Sequence, residues 1–203
     1  MRPLRLFCLL LTLLSLACGS EVPNLHNPGR TIVCLGDSIT AGVGAGPGES
    51  YPDLLAARFA VEVVNAGVPG DTAAAGLARL EAALAEDPWL VVVQLAGNDL
   101  LRGVPPAKTE ESLETIVATV LARGAVPLLV ELDAPFGEPY RAIFDRLEER
   151  HPGVPIVRGA LGEVLRAPSR KSDPIHPNAA GYRDLARAIG DEIEPLLAAR
   201  GGR

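Results

Sequence analysis

The chain has 203 residues, enough for one domain with a sizeable core. Its 19 basic and 25 acidic residues give a net charge of −6, which argues against nucleic acid and anionic membrane surfaces as partners. Three cysteines without CxxC spacing, and no HExxH pattern, argue against a disulfide framework and a metal centre.

The first segment reads as a targeting signal. Arg2 and Arg5 precede a run from Leu6 to Leu14 that is apolar except for Thr12, and small residues follow. That run is shorter than the ~20 residues a membrane-spanning helix needs, so residues 1–19 are expected to be an export signal. Its end reads in two ways. Ala17-Cys18-Gly19 suits simple cleavage after Gly19, whereas Leu14-Ser15-Leu16-Ala17-Cys18 resembles a lipobox in which Cys18 is lipidated. Either way the product belongs in the periplasm or cell envelope. Residues 20–29 carry turn formers and no periodicity, and read as a tether. Extended at ~3.3 Å per residue, it would span roughly 35 Å.

From residue 30 to 203, strand-like and helix-like patterns alternate. Apolar runs predict strands at 31–35, 61–64, 90–95, 126–132 and 154–157. Helical patterns occupy 51–59, 72–86, 109–123, 139–150 and 178–199. Nearly continuous apolar strands between helices imply a parallel sheet covered on both faces, a three-layer αβα sandwich. A flavodoxin-like five-stranded sheet in the order 2-1-3-4-5 is the expected arrangement.

Ligands of such sheets bind beyond the carboxyl ends of the strands. Ser38, in Gly36-Asp37-Ser38-Ile39-Thr40, follows the first strand; Gly67 lies just beyond the second and Asn98 just beyond the third. At about 4.8 Å per strand, the three would sit side by side across roughly 10 Å. Gly67 N–H, the Asn98 amide and Ser38 N–H could then surround a carbonyl attacked by Ser38. Near the other end stands Asp173-Pro174-Ile175-His176-Pro177-Asn178. Its prolines disfavour helix at Asp173 and His176, and Asn178 is a good N-cap for the final helix. This loop is expected to present His176 as the base for Ser38, with Asp173 holding the other ring nitrogen.

Other conspicuous residues have plainer readings. Cys34 lies inside an apolar strand and reads as core; His26 and His151 read as solvated; Asp37 and Asp99 read as loop-ordering groups. Gly42-Val43-Gly44-Ala45-Gly46-Pro47-Gly48 lacks both the P-loop lysine and GxGxxG spacing, so it reads as a flexible loop beside the serine. Gly-Asp-Ser or Asn-Asp alone is usually a turn. Four such blocks in order along one sheet edge carry more weight.

Those blocks are Gly36-Asp37-Ser38, Asn65-Ala66-Gly67-Val68-Pro69-Gly70-Asp71-Thr72, Gly97-Asn98-Asp99-Leu100-Leu101-Arg102-Gly103, and Asp173-x-x-His176 running into Pro177-Asn178-Ala179-Ala180-Gly181-Tyr182. They resemble the four blocks of the SGNH hydrolases, also called GDSL esterases and lipases, over about residues 30–200. Within that family the chain looks most like the bacterial thioesterase I, arylesterase and lysophospholipase group. The resemblance implies a cofactor-free serine hydrolase of acyl esters. It assigns Ser38, Asp173 and His176 as the catalytic triad and Ser38, Gly67 and Asn98 as the oxyanion hole. Two positions depart from the group: Ala96 stands where glycine is common, and Pro174 replaces a frequent glycine.

The acyl group is less legible. Leu100, Leu101, Val104 and Phe136 follow the third and fourth strands and are expected to line a substrate groove. The resemblance suggests short to medium acyl esters, aryl esters, thioesters or lysophospholipids. One alternative is a carbohydrate O-acetylesterase with a shallow polar pocket; another is a non-catalytic flavodoxin-like binding lipoprotein. The expected protein is a monomer with no metal or cofactor, no nucleic-acid partner, and membrane contact only through Cys18.

Overall fold

A computed structural model describes residues 21–133 and 137–201. The segment expected to be an export signal, with Cys18, and the expected groove residue Phe136 therefore lie outside the described residues. Chain order is β1 (Thr31–Gly36), α1 (Ser38–Ala41), α2 (Tyr51–Phe59), β2 (Val63–Gly67), α3 (Ala73–Ala78), α4 (Leu80–Leu84) and β3 (Pro88–Gln94). It continues through α5 (Gly97–Leu101), α6 (Pro106–Ala122), β4 (Val126–Val130), α7 (Glu138–Arg150), β5 (Ile156–Val157), α8 (Ala160–Arg166) and α9 (Ala179–Gly201).

The five strands form one parallel sheet in the order β2-β1-β3-β4-β5. The expected topology holds, and the reason lies in the strand sequences. β1, β3 and β4 are buried along their whole length, as apolar runs covered by helices on both faces must be. The chain reverses direction across the sheet between β1 and β3, which opens a crevice at their carboxyl ends. Register fixes that edge: Gly36 of β1 lies opposite Gly67 of β2 and Gln94 of β3.

Several boundaries differ from the periodic reading. The single helix expected over 72–86 is two, α3 and α4, divided at Arg79, whose φ of −114° leaves the helical region. The Arg79 guanidinium instead ties Asp71 Oδ2 (2.6 Å) and Gly36 O (2.8 Å), joining the loop after β2 to the end of β1. Helix α6 starts three residues before the expected 109, at Pro106, because a proline in the first turn gives up no intrahelical bond. The short helices α1, α5 and α8 were not expected, being only 4, 5 and 7 residues long.

The tether needs a larger correction. Its described part is irregular in backbone but bound to the domain. Asn24 Nδ2 donates to Leu121 O (2.9 Å) and Ala125 O (3.1 Å), and Asn27 Nδ2 donates to Trp89 O (3.1 Å). From the last helix, Arg200 donates to Asn27 O and Gly29 O and lies 4.4 Å over the buried Trp89 ring. Such partners satisfy backbone groups that a free tether would leave to water. This segment closes the amino-terminal end of the sheet, opposite the crevice.

Candidate active site

Asp37 follows β1 directly and caps α1, its Oδ1 accepting the Ile39 N–H at 2.9 Å. Ser38 is the first helical residue, so its N–H is one of those with no partner inside the helix. The turn also brings the Ser38 hydroxyl to the sheet edge, within 3.0 Å of His176 Nε2.

The His176 loop is braced from within. Lys171 and Pro177 form an antiparallel bridge, and Ser172 N–H donates to His176 O at 3.0 Å. Asn178 Nδ2 donates to Ser169 O and Lys171 O, while its Oδ1 accepts from Ala180 and Gly181 N–H at the start of α9. The N-cap expected at Asn178 is thus present, and it anchors the loop as well as the helix. Asp173 Oδ1 accepts the Ile175 and His176 N–H groups at 2.9 Å each, and Oδ2 lies 2.7 Å from His176 Nδ1. The His176 bond and the two N–H donors hold the Asp173 carboxyl below its ordinary range, so it is an acceptor at neutral pH. Nδ1 is then the donor to Asp173, which leaves Nε2 to accept from Ser38 Oγ. Pro174 does not displace the histidine from the serine.

Asn98 enters on α5. Ala96, at φ +87°, turns the chain from β3 into that helix. Asn98 Nδ2 donates to Asp71 O at 3.0 Å and faces Asp37 Oδ2 at 3.4 Å. Asp99 is buried, accepting Ala73 N–H and the Thr109 hydroxyl, and so has the loop-ordering part expected of it. Asp37 is also buried. Burial pushes its carboxyl up to about 6, opposed by the Ile39 and Gln94 hydrogen bonds and by His176, with Asp71 adding to the rise.

Gly67 does not fit the part expected of it. Its N–H already donates to Asn65 Oδ1 at 3.0 Å. A Cβ there would stand 2.2 Å from Ala41 N, so glycine is required for α1 to pack on β2. The more suitable group is three residues on. Gly70 has φ +88°, its N–H has no acceptor among the described residues, and its carbonyl accepts from Arg102 at 2.7 Å. The next carbonyl, of Asp71, is the one that holds Asn98. A Gly-Asp pair between Pro69 and the Thr72 cap was the available signal.

A narrow, largely apolar cleft adjoins the serine and histidine, its apolar wall made by Ile39, Leu100, Leu101, Leu132, Leu161 and Leu165 together with Ile175. Leu100 and Leu101 therefore sit where expected. Val104 does not: its N–H donates to Asp99 O and its carbonyl accepts the Tyr140 hydroxyl, so it closes the α5–α6 turn. Leu161 and Leu165 were missed because α8 is short and interrupted by Gly162. Their i,i+4 spacing was the readable sign.

Two other expectations change. His151 is paired with Glu114 Oε1 at 2.6 Å rather than solvated. The Gly42–Gly48 loop is fastened, since Tyr182 donates to Val43 O at 2.8 Å and a Cβ at Gly44 would meet Ser172.

Residues 34–184 match the GDSL-like Lipase/Acylhydrolase family. Esterase TesA of Pseudomonas aeruginosa is 37% identical over 182 residues, covering 83% of this chain and 90% of its own. Thioesterase 1/protease 1/lysophospholipase L1 of Escherichia coli K12 is 36% identical over 177 residues, covering 82% and 85%. A crystal structure of TesA superposes with a TM-score of 0.77 at 34% identity, covering 82% of this chain and 99% of that one.

Proposed function

Because this chain belongs to the GDSL-like lipase/acylhydrolase family and is a hydrolase of ester bonds, we propose that it works through a serine acyl-enzyme on substrates with an acyl chain. The observation that carries the reading is the continuous line from Asp173 through His176 to Ser38, with contacts of 2.7 and 3.0 Å. His176 Nε2 takes the Ser38 proton as Oγ attacks the ester or thioester carbonyl, and Asp173 stabilises the imidazolium. The proton then passes to the leaving group. Water, activated by the same histidine, releases the acid and restores the serine.

The oxyanion is proposed to be held by Ser38 N–H, the Asn98 amide and Gly70 N–H, the last in place of Gly67. One such donor is typically worth ~10²–10³ in turnover. The leucine-lined cleft favours an acyl chain over the small polar group of a carbohydrate O-acetylesterase. Short to medium acyl esters, aryl esters, thioesters and lysophospholipids all meet that requirement. The amino-terminal signal supports export to the periplasm or envelope, with Cys18 as the proposed lipid anchor, and a monomer remains the proposed state.

A fluorophosphonate probe tests the chemistry, because it phosphonylates an activated serine. Labelling is expected at Ser38 and is lost in Ser38→Ala together with p-nitrophenyl ester hydrolysis, while the variant still unfolds cooperatively. Full turnover by Ser38→Ala would remove the assignment. An ester series from acetyl upward tests the substrate: activity confined to acetyl would favour the O-acetylesterase instead.

A further inference from the structure

Helix α8 carries two of the cleft leucines, yet it begins without a cap of its own. Its N-cap is Gly159, at φ +72°, and glycine has no side chain to accept the N–H groups of the first turn. Such groups have no partner inside the helix, and an N-cap side chain ordinarily takes that of the second or third helical residue. Here the third residue is Gly162, and its N–H donates to Asp133 Oδ1. Gly159 N–H donates to Glu131 Oε2 at 3.0 Å.

These are the two bonds of a capping box, one from the N-cap N–H and one from the third helical N–H, but both acceptors come from the chain leaving β4. Glu131 is buried and also accepts from Arg158 Nη1 at 2.8 Å. Asp133 stands hard against α8, where a Cβ on Gly162 would lie 2.1 Å from its Oδ2. Arg166 reaches the same oxygen only at 3.4 Å and is half exposed, so that ion pair adds little. Between the two acceptors in sequence is Leu132, which lines the cleft together with Leu161 and Leu165. The cap therefore ties the α8 part of the wall to the β4 part.

We propose that Asp133 is a positioning residue for acyl-chain preference: by supplying from beyond β4 the cap that Gly159 lacks, it sets where Leu161 and Leu165 stand in the cleft wall. This rests on the cleft taking the acyl chain. Asp133 does not line the cleft itself; it acts through α8. Without its carboxylate the Gly162 N–H loses its acceptor and α8 shifts relative to Leu132. A long chain then loses contacts that an acetyl group never makes.

The test compares kcat/KM on p-nitrophenyl octanoate and acetate. Asp133→Ala is expected to lower the octanoate-to-acetate ratio on the order of tenfold, about what two lost methylene contacts are worth, through KM for octanoate. Asp133→Asn keeps an oxygen for the Gly162 N–H and should hold the wild-type ratio within about twofold. Gly162→Ala tests the same contact from the other side, even should Asp133→Ala fail to unfold cooperatively. Alanine favours the helix, but its methyl strikes the carboxylate, so the ratio should again fall. In the Asp133→Ala background the added methyl meets no carboxylate and should change the ratio by less than about twofold. An unchanged ratio in Asp133→Ala or Gly162→Ala, or an equal kcat loss on both esters, would overturn the proposal. Leu165→Trp separates the two readings. If it leaves the chain-length profile unchanged, the acyl reading of the cleft fails and the proposal with it; if it shifts the profile while Asp133→Ala does not, only the role of Asp133 fails.

Discussion

At the scale of single residues, two buried residues are held in costly states, one by its backbone and one by its charge. Ala96 is fully buried at φ +87°, a conformation costing a residue with a Cβ about 1–3 kcal/mol. Ala96→Gly relieves this, at the expense of about 0.4–1 kcal/mol of added freedom in the unfolded chain. The expected net is a stabilisation of about 1 kcal/mol, read as a rise in Tm of about 2–4 °C. Asp37 carries electrostatic strain. Its carboxyl is raised to about 6 by burial, from an ordinary 3.8. Between these values the folded chain binds a proton that the unfolded chain does not, so this group adds stability as pH falls from about 6 to about 4. The gain is on the order of 2–3 kcal/mol. Denaturant titrations of wild type and Asp37→Asn across that window should diverge; parallel curves would show that Asp37 is not perturbed.

At the scale of elements, the short helices that periodicity missed are the ones that build the site. α1 presents Ser38, α5 presents Asn98, and α8 supplies Leu161 and Leu165 to the cleft. A helix of one or two turns shows too little of its period to be read, and tertiary contacts decide whether it forms. In α8, Gly162 weakens the local signal but is needed there, because its N–H donates to Asp133 Oδ1 and a Cβ would strike that carboxylate. Leu165 is only partly buried and can be enlarged with little damage to the core. Leu165→Trp is expected to shift the preferred p-nitrophenyl ester towards shorter chains, since each methylene denied its contact loses about 0.8 kcal/mol. An unchanged chain-length profile would place the acyl group elsewhere.

At the scale of the molecule, the sheet separates two ends. Its carboxyl edge holds Ser38, Asn98 and the His176 loop, while its amino edge is closed by residues 24–29, Trp89 and Arg200. Asn24 sits at φ +57° and bonds the carbonyls on either side of the turn from α6 into β4. Asn24→Ala is expected to destabilise the whole domain by about 2 kcal/mol, from two lost hydrogen bonds and a backbone less suited to alanine. With the site at the far edge, kcat should not move. A free tether would show no change in stability.

What the sequence determined by itself was the layered parallel sheet, its order, and the gathering of Ser38, Asn98 and the loop of Asp173 and His176 at one edge of it. Apolar strand runs, turn residues and the two prolines of the last motif act locally, so they can be read in one dimension. What only the tertiary structure decided was how groups distant in sequence divide the work. Gly67 gives up its N–H to Asn65, and Gly70 keeps its own. Val104 closes a turn instead of lining the cleft, residues from α8 line it, and the expected tether becomes a clasp. Each of these depends on which donor meets which acceptor after packing. Spacing along the chain does not encode that, because the partners belong to different elements and meet only once the sheet has brought them together.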